Sequence, residues 1–581
     1  MLPSCVQEAR RLVTLGDTGR AFPYAAFSAL RGSKEGSVLL SKIRSGQISD
    51  ERGLHAKLDA ACRHEDRASC FALALLKHNP GGQEATAYLA PACDKGDLPA
   101  CLELGRVAHK GLWSEPQDFS KAASLYERVC TSGHGGCSYL GAMVESGEGV
   151  PEDKQHAVEL YQTACDGGEM LGCASLGVMY LSGKGVAKDE NRAVDFFHKA
   201  CDGGEMFGCA SLGWIFDYGK GVAKDEKRAV ELYQTACDGG EMFGCTHLAA
   251  AYDYGRGVAR DAMRAGELYE TACDGGEMGG CTYLAAAYDT GEGVPKDTKR
   301  AVVFFQKACD GGEVGACNIL GEAYANGEDV PKDPTRAEEL YEKACAGGNM
   351  RGCVNLGWIY ANGESASKDA KRAVGLYQAA CDGREMLGCA HLGWMYANGK
   401  GVARDAKRAV ELYQAACDGG EMNGCTNLGV AYDYGKGVSK DKKRAAALYQ
   451  TACDGGKMLG CAYLGMMYDY GKGEPKDAKR AAELYQAACD GGEMLGCANL
   501  GVAYASGKGE PKDVKRAVEV YQKACDGGET FGCANLGWMY DYGKGVSKDK
   551  KRAVALYQKA CEGGDQWGCR QERRTRVAHA E

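Results

Sequence analysis

Apolar residues recur along this chain at helical spacing, in two short blocks that return every 36 residues. Between 489 and 524 the blocks run from Met494 to Tyr504 and from Asp513 to Ala524. Their recurring apolar set is Leu500, Tyr504, Ala517, Val520, Tyr521 and Ala524. Steps of three and four residues gather such positions on one helical face, so each period predicts a pair of helices joined as a hairpin. From Cys165 the string Cys-Asp-Gly-Gly-Glu-Met, or a close variant, begins again at 201, 237, 273, 309, 345, 381, 417, 453, 489, 525 and 561 with no insertion. A helix pair this small cannot bury its apolar face alone, and stacked copies can; the fold class is therefore all-α, an α/α solenoid.

Polar residues punctuate the pattern. Asp513 precedes the second helix as an N-cap whose carboxylate accepts backbone N–H groups, and Asp stands at the same place at 189, 225, 261, 297, 333, 369, 405, 441, 477 and 549. Gly507-Lys508-Gly509 and its counterparts form the turn between helices. These are not phosphate cradles, because Gly-Lys is followed by Gly rather than Ser or Thr and no strand precedes it. The small residue after the recurring Leu, Gly501 here and Ala249 or Ala285 elsewhere, allows close helix packing.

Of 581 residues, 26% are charged, and the net charge is −9. No positive field gathers to attract nucleic acid or an anionic membrane. The longest apolar stretches, around Phe22 to Leu30 and Phe71 to Leu76, are too short to cross a bilayer. The 84 glycines would suggest low complexity, but they occupy fixed places in the period.

The string Leu-Gly-x-x-Tyr-x-x-Gly-x-Gly-Val-x-x-Asp-x-x-x-Ala, read from Leu536 to Ala553, resembles the Sel-like repeat (SLR), a relative of the tetratricopeptide repeat. The likeness covers roughly 93 to 564. With a Cys pair in each repeat, the chain is most similar to the cysteine-rich SLR subgroup of Helicobacter, and a mitochondrial intermembrane-space assembly factor carries a comparable cysteine pattern. The resemblance implies a right-handed superhelix of SLR repeats acting as an adaptor for other proteins. Residues 1–61 lack the motif and read as an atypical helical cap. The solenoid reads as 62–564, degenerate over 62–100 with about thirteen full repeats from 101, and 565–581 as a polar C-terminal cap.

Thirty of the 31 cysteines form close pairs: Cys62 with Cys70, Cys93 with Cys101, Cys130 with Cys137, Cys165 with Cys173, Cys201 with Cys209, Cys237 with Cys245, Cys273 with Cys281, Cys309 with Cys317, Cys345 with Cys353, Cys381 with Cys389, Cys417 with Cys425, Cys453 with Cys461, Cys489 with Cys497, Cys525 with Cys533 and Cys561 with Cys569. In one continuous helix an eight-residue offset separates Cα atoms by about 12 Å, beyond disulfide reach. The Asp-Gly-Gly turn removes that obstacle, so each pair is expected to bridge the end of one repeat to the start of the next. Structural zinc is the rival, but it needs four ligands around one ion, and successive pairs sit on helices roughly 8–10 Å apart. No metal or other cofactor is expected. Disulfides belong to oxidising compartments, so the chain is expected in the periplasm, secreted or lipid-anchored, or in the mitochondrial intermembrane space if eukaryotic. Met1 is followed by no signal-peptide pattern. Cys5, the unpaired cysteine, follows Leu2-Pro3-Ser4 as in the end of a lipobox and is a candidate lipidation site if the true start lies upstream.

The cysteine-rich subgroup's association with penicillin binding and β-lactam hydrolysis makes a β-lactamase or peptidoglycan-binding protein the alternative reading. Its serine chemistry needs Ser-x-x-Lys on a helix with Ser-Asp-Asn and Lys-Thr-Gly nearby. Ser365 to Lys368, Ser439 to Lys442 and Ser547 to Lys550 match the first string, but all fall in loops, and the other two strings are absent. No catalytic residue is assigned.

A binding surface emerges when the repeats are compared with one another. With the first Cys of each repeat as position 1, positions 7, 11, 14 and 18 of the first helix vary, and they share one face. Position 11 carries His247, Tyr283, Asn355, His391, Asn427, Tyr463, Asn499 and Asn535. Position 14 carries Trp214, Trp358, Trp394 and Trp538, and position 18 carries Tyr218, Tyr254, Asn362, Asn398, Tyr434, Tyr470 and Tyr542. Recognition surfaces favour these residue types. In this fold class the first helices line the inner curve, so the stripe is expected to floor a concave groove for a protein or peptide, with peptidoglycan as the alternative ligand. The competing role for the tryptophans is filling space between repeats.

Overall fold

The computed structural model describes residues 83–577 except 112–115, 134 and 364–367. The expectations for residues 1–61, the Cys62 and Cys70 pair, Cys5, Ser365 and the last four residues lie outside the described residues. Those described form 28 helices, from Gln83–Asp94 to Gln566–Val577, and no strand. Two compact units meet in sequence at Asp297 and Thr298, each built from the same helix pair. Within each unit every helix packs on its sequence neighbours. First helices of successive repeats also touch, as Met206–Tyr218 does with Met242–Tyr254 and Met458–Tyr470 with Met494–Ser506.

Both helices of a pair run two residues past their apolar blocks, to Ser506 and Asp526 in the repeat starting at Cys489. The apolar pattern stops at the last buried residue, whereas the backbone stops where a cap ends it. Gly507, at φ +75°, ends the first helix by donating its N–H to the Ala503 carbonyl. Asp513 then starts the second helix by accepting from the N–H groups of Lys515 and Arg516, 3.0 Å from each. Asp189, Asp225, Asp261, Asp333, Asp369, Asp405, Asp441, Asp477 and Asp549 cap their helices in the same way. Gly509 has a steric reason to be glycine as well: a Cβ there would sit 2.0 Å from the Ala478 carbonyl oxygen of the preceding repeat.

Inside the pair, an aromatic ring of the second helix presses on a glycine of the first. A Cβ on Gly501 would lie 2.5 Å from the Tyr521 ring, and one on Gly213 would lie 2.8 Å from Tyr233. These tyrosines are buried, with Tyr126, Tyr233, Tyr269, Tyr377, Tyr449 and Tyr557 among the largest fully enclosed side chains. Phe197 takes the same role against Gly177, so the ring rather than the hydroxyl makes the contact.

Fourteen disulfides follow the expected pairing, from Cys93 with Cys101 to Cys561 with Cys569. From the repeat at Cys165 onward, each joins the last turn of a second helix to the first turn of the next repeat's first helix, with Cα atoms 4.4–4.7 Å apart. Gly496 lets the two backbones close in, since its Cβ would fall 2.5 Å from that of Ala488. The thiols of these fourteen described pairs are consumed in bridges.

Replacing Cys381 and Cys389 together with Ser should cost roughly 2–3 kcal/mol, the value for closing so short a loop, read as a lowered denaturation midpoint. Two glycines should respond oppositely to alanine. Gly501→Ala forces a methyl into the Tyr521 ring and should lose about 1–3 kcal/mol. Gly375→Ala meets nothing within 4 Å on an exposed helical face and should gain up to about 1 kcal/mol.

Candidate functional site

The variable first-helix positions do not share one environment. At position 14, Trp358, Trp394 and Trp538 are 42, 40 and 37% exposed. Trp214 is half-buried against the core. At position 18, Tyr218, Tyr254, Tyr434, Tyr470 and Tyr542 are exposed by 44 to 64%; Asn362 and Asn398 are exposed too. Position 11 is different. His247, His391, Tyr283 and Tyr463 each place one ring face over the buried tyrosine of the preceding repeat, with centroids 5.1–5.2 Å apart. One side of position 11 therefore belongs to packing.

Asparagines along the stripe are partly engaged within the protein. Asn398, Asn499 and Asn535 donate side-chain N–H bonds to the carbonyls of Trp394, Leu495 and Phe531, one turn earlier. Asn355 reaches back across the repeat boundary, donating to Asn318 and to Glu322, each at 2.9 Å. Glu322 replaces tryptophan at position 14, and this polar bridge replaces the aromatic surface. Asn427 lines an opening of about 340 Å³ together with Asn398, Tyr413 and Lys436.

Position 20 supplies cations that the sequence reading missed. Lys400 stands 4.6 Å from the Trp394 centroid, Lys472 4.9 Å from Tyr470, Lys436 5.6 Å from Tyr434 and Arg256 5.7 Å from Tyr254. Their signal in the sequence is the cation of the Gly-Lys-Gly and Gly-Arg-Gly turns, two residues after position 18. Asp217, buried, forms an ion pair with Arg256 of the next repeat at 3.0 Å. Burial pushes the Asp217 carboxyl up from its ordinary value, and Arg256 opposes that rise.

A cavity of about 470 Å³ opens beside Arg256, lined by Tyr218, Thr246, His247, Ala250, Tyr254, Arg256 and Tyr283 from three consecutive repeats. His247, packed between the Tyr233 and Phe243 rings, is pushed down to about 4 by burial, with Arg256 adding to the effect. It is neutral at physiological pH. Ser439 and Ser547 lie exposed in the loops before second helices, and the open depression at Ser547 is otherwise lined by Tyr540, Val546, Lys548, Asp549, Lys550 and Lys551. Among the described residues no group of three or more His, Cys, Asp or Glu gathers as metal ligands, and no helix is long and apolar enough to cross a membrane.

Capped helix pairs, junction disulfides and an exposed aromatic face define a helical repeat protein. Thirteen stretches between 98 and 565 match the Sel1 repeat, which covers most of the chain, and the protein belongs to that family. Sel1 repeat proteins are generally protein-interaction scaffolds. The chain is 33% identical over 106 residues to cytochrome c oxidase assembly factor 7 of Xenopus tropicalis. That alignment takes in 17% of this chain and 46% of the relative, so this chain spans less than half of the relative's length. Among solved structures it is similar to a protective antigen of uropathogenic Escherichia coli with an SLR fold, at 28% identity over 78% of this chain and 96% of that one, TM-score 0.48. Helicobacter pylori cysteine-rich protein B is 34% identical over 22% of this chain and 93% of its own, TM-score 0.20.

Burial of neutral His247 makes stability depend on pH. The unfolded chain takes up its proton near pH 6.5, whereas the folded site resists until about 4, so the His247 contribution is complete above 6.5 and falls away as pH drops to 4. The full loss should be about 3 kcal/mol. Denaturation curves of the wild type and His247→Asn should converge or cross over that window, asparagine being the residue other repeats carry at position 11; parallel pH profiles would refute the assignment.

Proposed function

We propose that this protein is an exported scaffold that holds an extended segment of a partner protein against the face formed by positions 11, 14 and 18 of its first helices. The observation that carries the reading is the exposure of tryptophan and tyrosine in repeat after repeat of an otherwise well-buried helix. Large apolar rings left in water at regular intervals cost solubility and gain nothing for a lone chain, and they are the residues that dominate binding energy when covered. The position 20 cations beside them add charge at the rim, and the regular stacking of repeats suits a ligand that is itself extended.

The many disulfides suit an oxidising, extracytoplasmic setting. Within it, the periplasm, the medium and a lipid anchor at Cys5 are all consistent with the reading. The reading gives no catalytic role to Ser439 or Ser547, which lie exposed in the loops before second helices.

Trp358 and Trp394 fall in consecutive repeats and are the anchors of the proposed face. Peptides selected on the folded protein from a random display library should lose about thirtyfold in affinity when both become alanine, from roughly 2 kcal/mol for an aromatic anchor. The melting temperature should change little, because both rings are already partly in water. A collapse in stability with unchanged affinity per folded molecule would show that the tryptophans only fill space.

A further inference from the structure

The repeats that carry an aromatic residue at position 18 differ in what stands one turn before it. In two of them the chain supplies its own partner: Trp214 packs on Tyr218 with centroids 5.0 Å apart, and Trp538 on Tyr542 at 5.2 Å. In the repeat starting at Cys237 the corresponding residue is Ala250, and Tyr254 is left 64% exposed against 49% for Tyr218 and 44% for Tyr542. The cavity of about 470 Å³ lies here, with Ala250 in its wall. It is a place where the protein elsewhere puts a ring and here does not.

The surroundings narrow what could enter. Arg256 is already paired with the buried Asp217, so its charge is balanced and draws no anion strongly, while a cation would face the guanidinium in the cavity wall. His247 is neutral. Tyr218, Tyr254 and Tyr283 offer ring surfaces. The Nε–H of Arg256 is buried and has no hydrogen-bond acceptor in the protein, a deficit that an entering oxygen would relieve. A neutral ring bearing an acceptor oxygen meets all of these conditions.

We propose that this cavity is a receptor slot for a tyrosine side chain presented by a partner segment, its ring taking the place that Trp214 and Trp538 fill in their own repeats and its phenol oxygen accepting from Arg256. This deepens the scaffold reading and rests on it: the slot would set which residue a bound segment must carry at one point along the face.

N-acetyl-tyrosinamide is the probe, titrated calorimetrically against the full chain, with N-acetyl-leucinamide as the control. The tyrosine amide should bind saturably with a dissociation constant of roughly 1 mM, and the leucine amide at least tenfold more weakly. Ala250→Trp should fill the slot from within and abolish binding while leaving the melting temperature nearly unchanged, because four other repeats carry tryptophan at that position. Tyr254→Ala, which removes a wall at an exposed site, should weaken binding at least fivefold and guards against a misfolded Ala250→Trp protein. Equal binding of the two amides, no saturable binding, or full binding by both variants would overturn the slot. Library-selected peptides separate this failure from that of the scaffold reading. Sensitivity to Trp358→Ala and Trp394→Ala with indifference to Ala250→Trp leaves the face standing and removes the slot, whereas indifference to all three removes both.

Discussion

In most repeats the helix pair is held by an aromatic ring pressed onto a glycine backbone, and the rest of the repeat is arranged around that contact. The ring occupies space that even a methyl group on the glycine would claim. Glycine inside a helix costs about 1 kcal/mol relative to alanine, and burial of a tyrosine or phenylalanine side chain offsets that cost. Several tyrosine hydroxyls at this place, including those of Tyr126, Tyr233, Tyr269, Tyr485 and Tyr557, find no partner in the protein. Phenylalanine at 197 does the same work, so the contact selects for shape before polarity. Where alanine replaces the glycine, at 249, the facing Tyr269 is still buried, at 2% exposure.

Junctions between repeats are secured by different means. The bridge from the end of one pair to the start of the next closes only a short loop, so it constrains the junction and nothing farther away. Stability in such a chain is close to a sum over repeats and their interfaces. Covalent closure at each interface makes that sum less vulnerable to one weak repeat, and it ties the protein to compartments where disulfides persist.

With the core contacts so nearly uniform, the differences that reach the surface of the first helix fall at positions 14 and 18. Tryptophan, alanine or glutamate at position 14, and tyrosine or asparagine at position 18, leave the tyrosine core in place. They change only whether the surface is an aromatic platform, a polar bridge such as Glu322 with Asn355, or an opening such as the one beside Ala250. A scaffold can in this way vary its recognition along its length without disturbing its fold.

The period, the two helices, the aspartate caps and the cysteine pairing were legible in the sequence because each depends on residues close together in the chain. Caps act within three residues and bridges within eight, and the 36-residue register made every such interaction visible many times over. What a side chain faces across a repeat boundary was decided only by tertiary structure. Position 11 looked like the rest of the stripe until its rings were seen to lie over buried tyrosines, and Arg256 looked like a turn residue until its pairing with Asp217, 39 residues earlier, was in view. The depression of His247 and the cavity beside Ala250 arise in the same way, from three successive repeats converging on one spot, and helical periodicity within a repeat carries no information about that convergence.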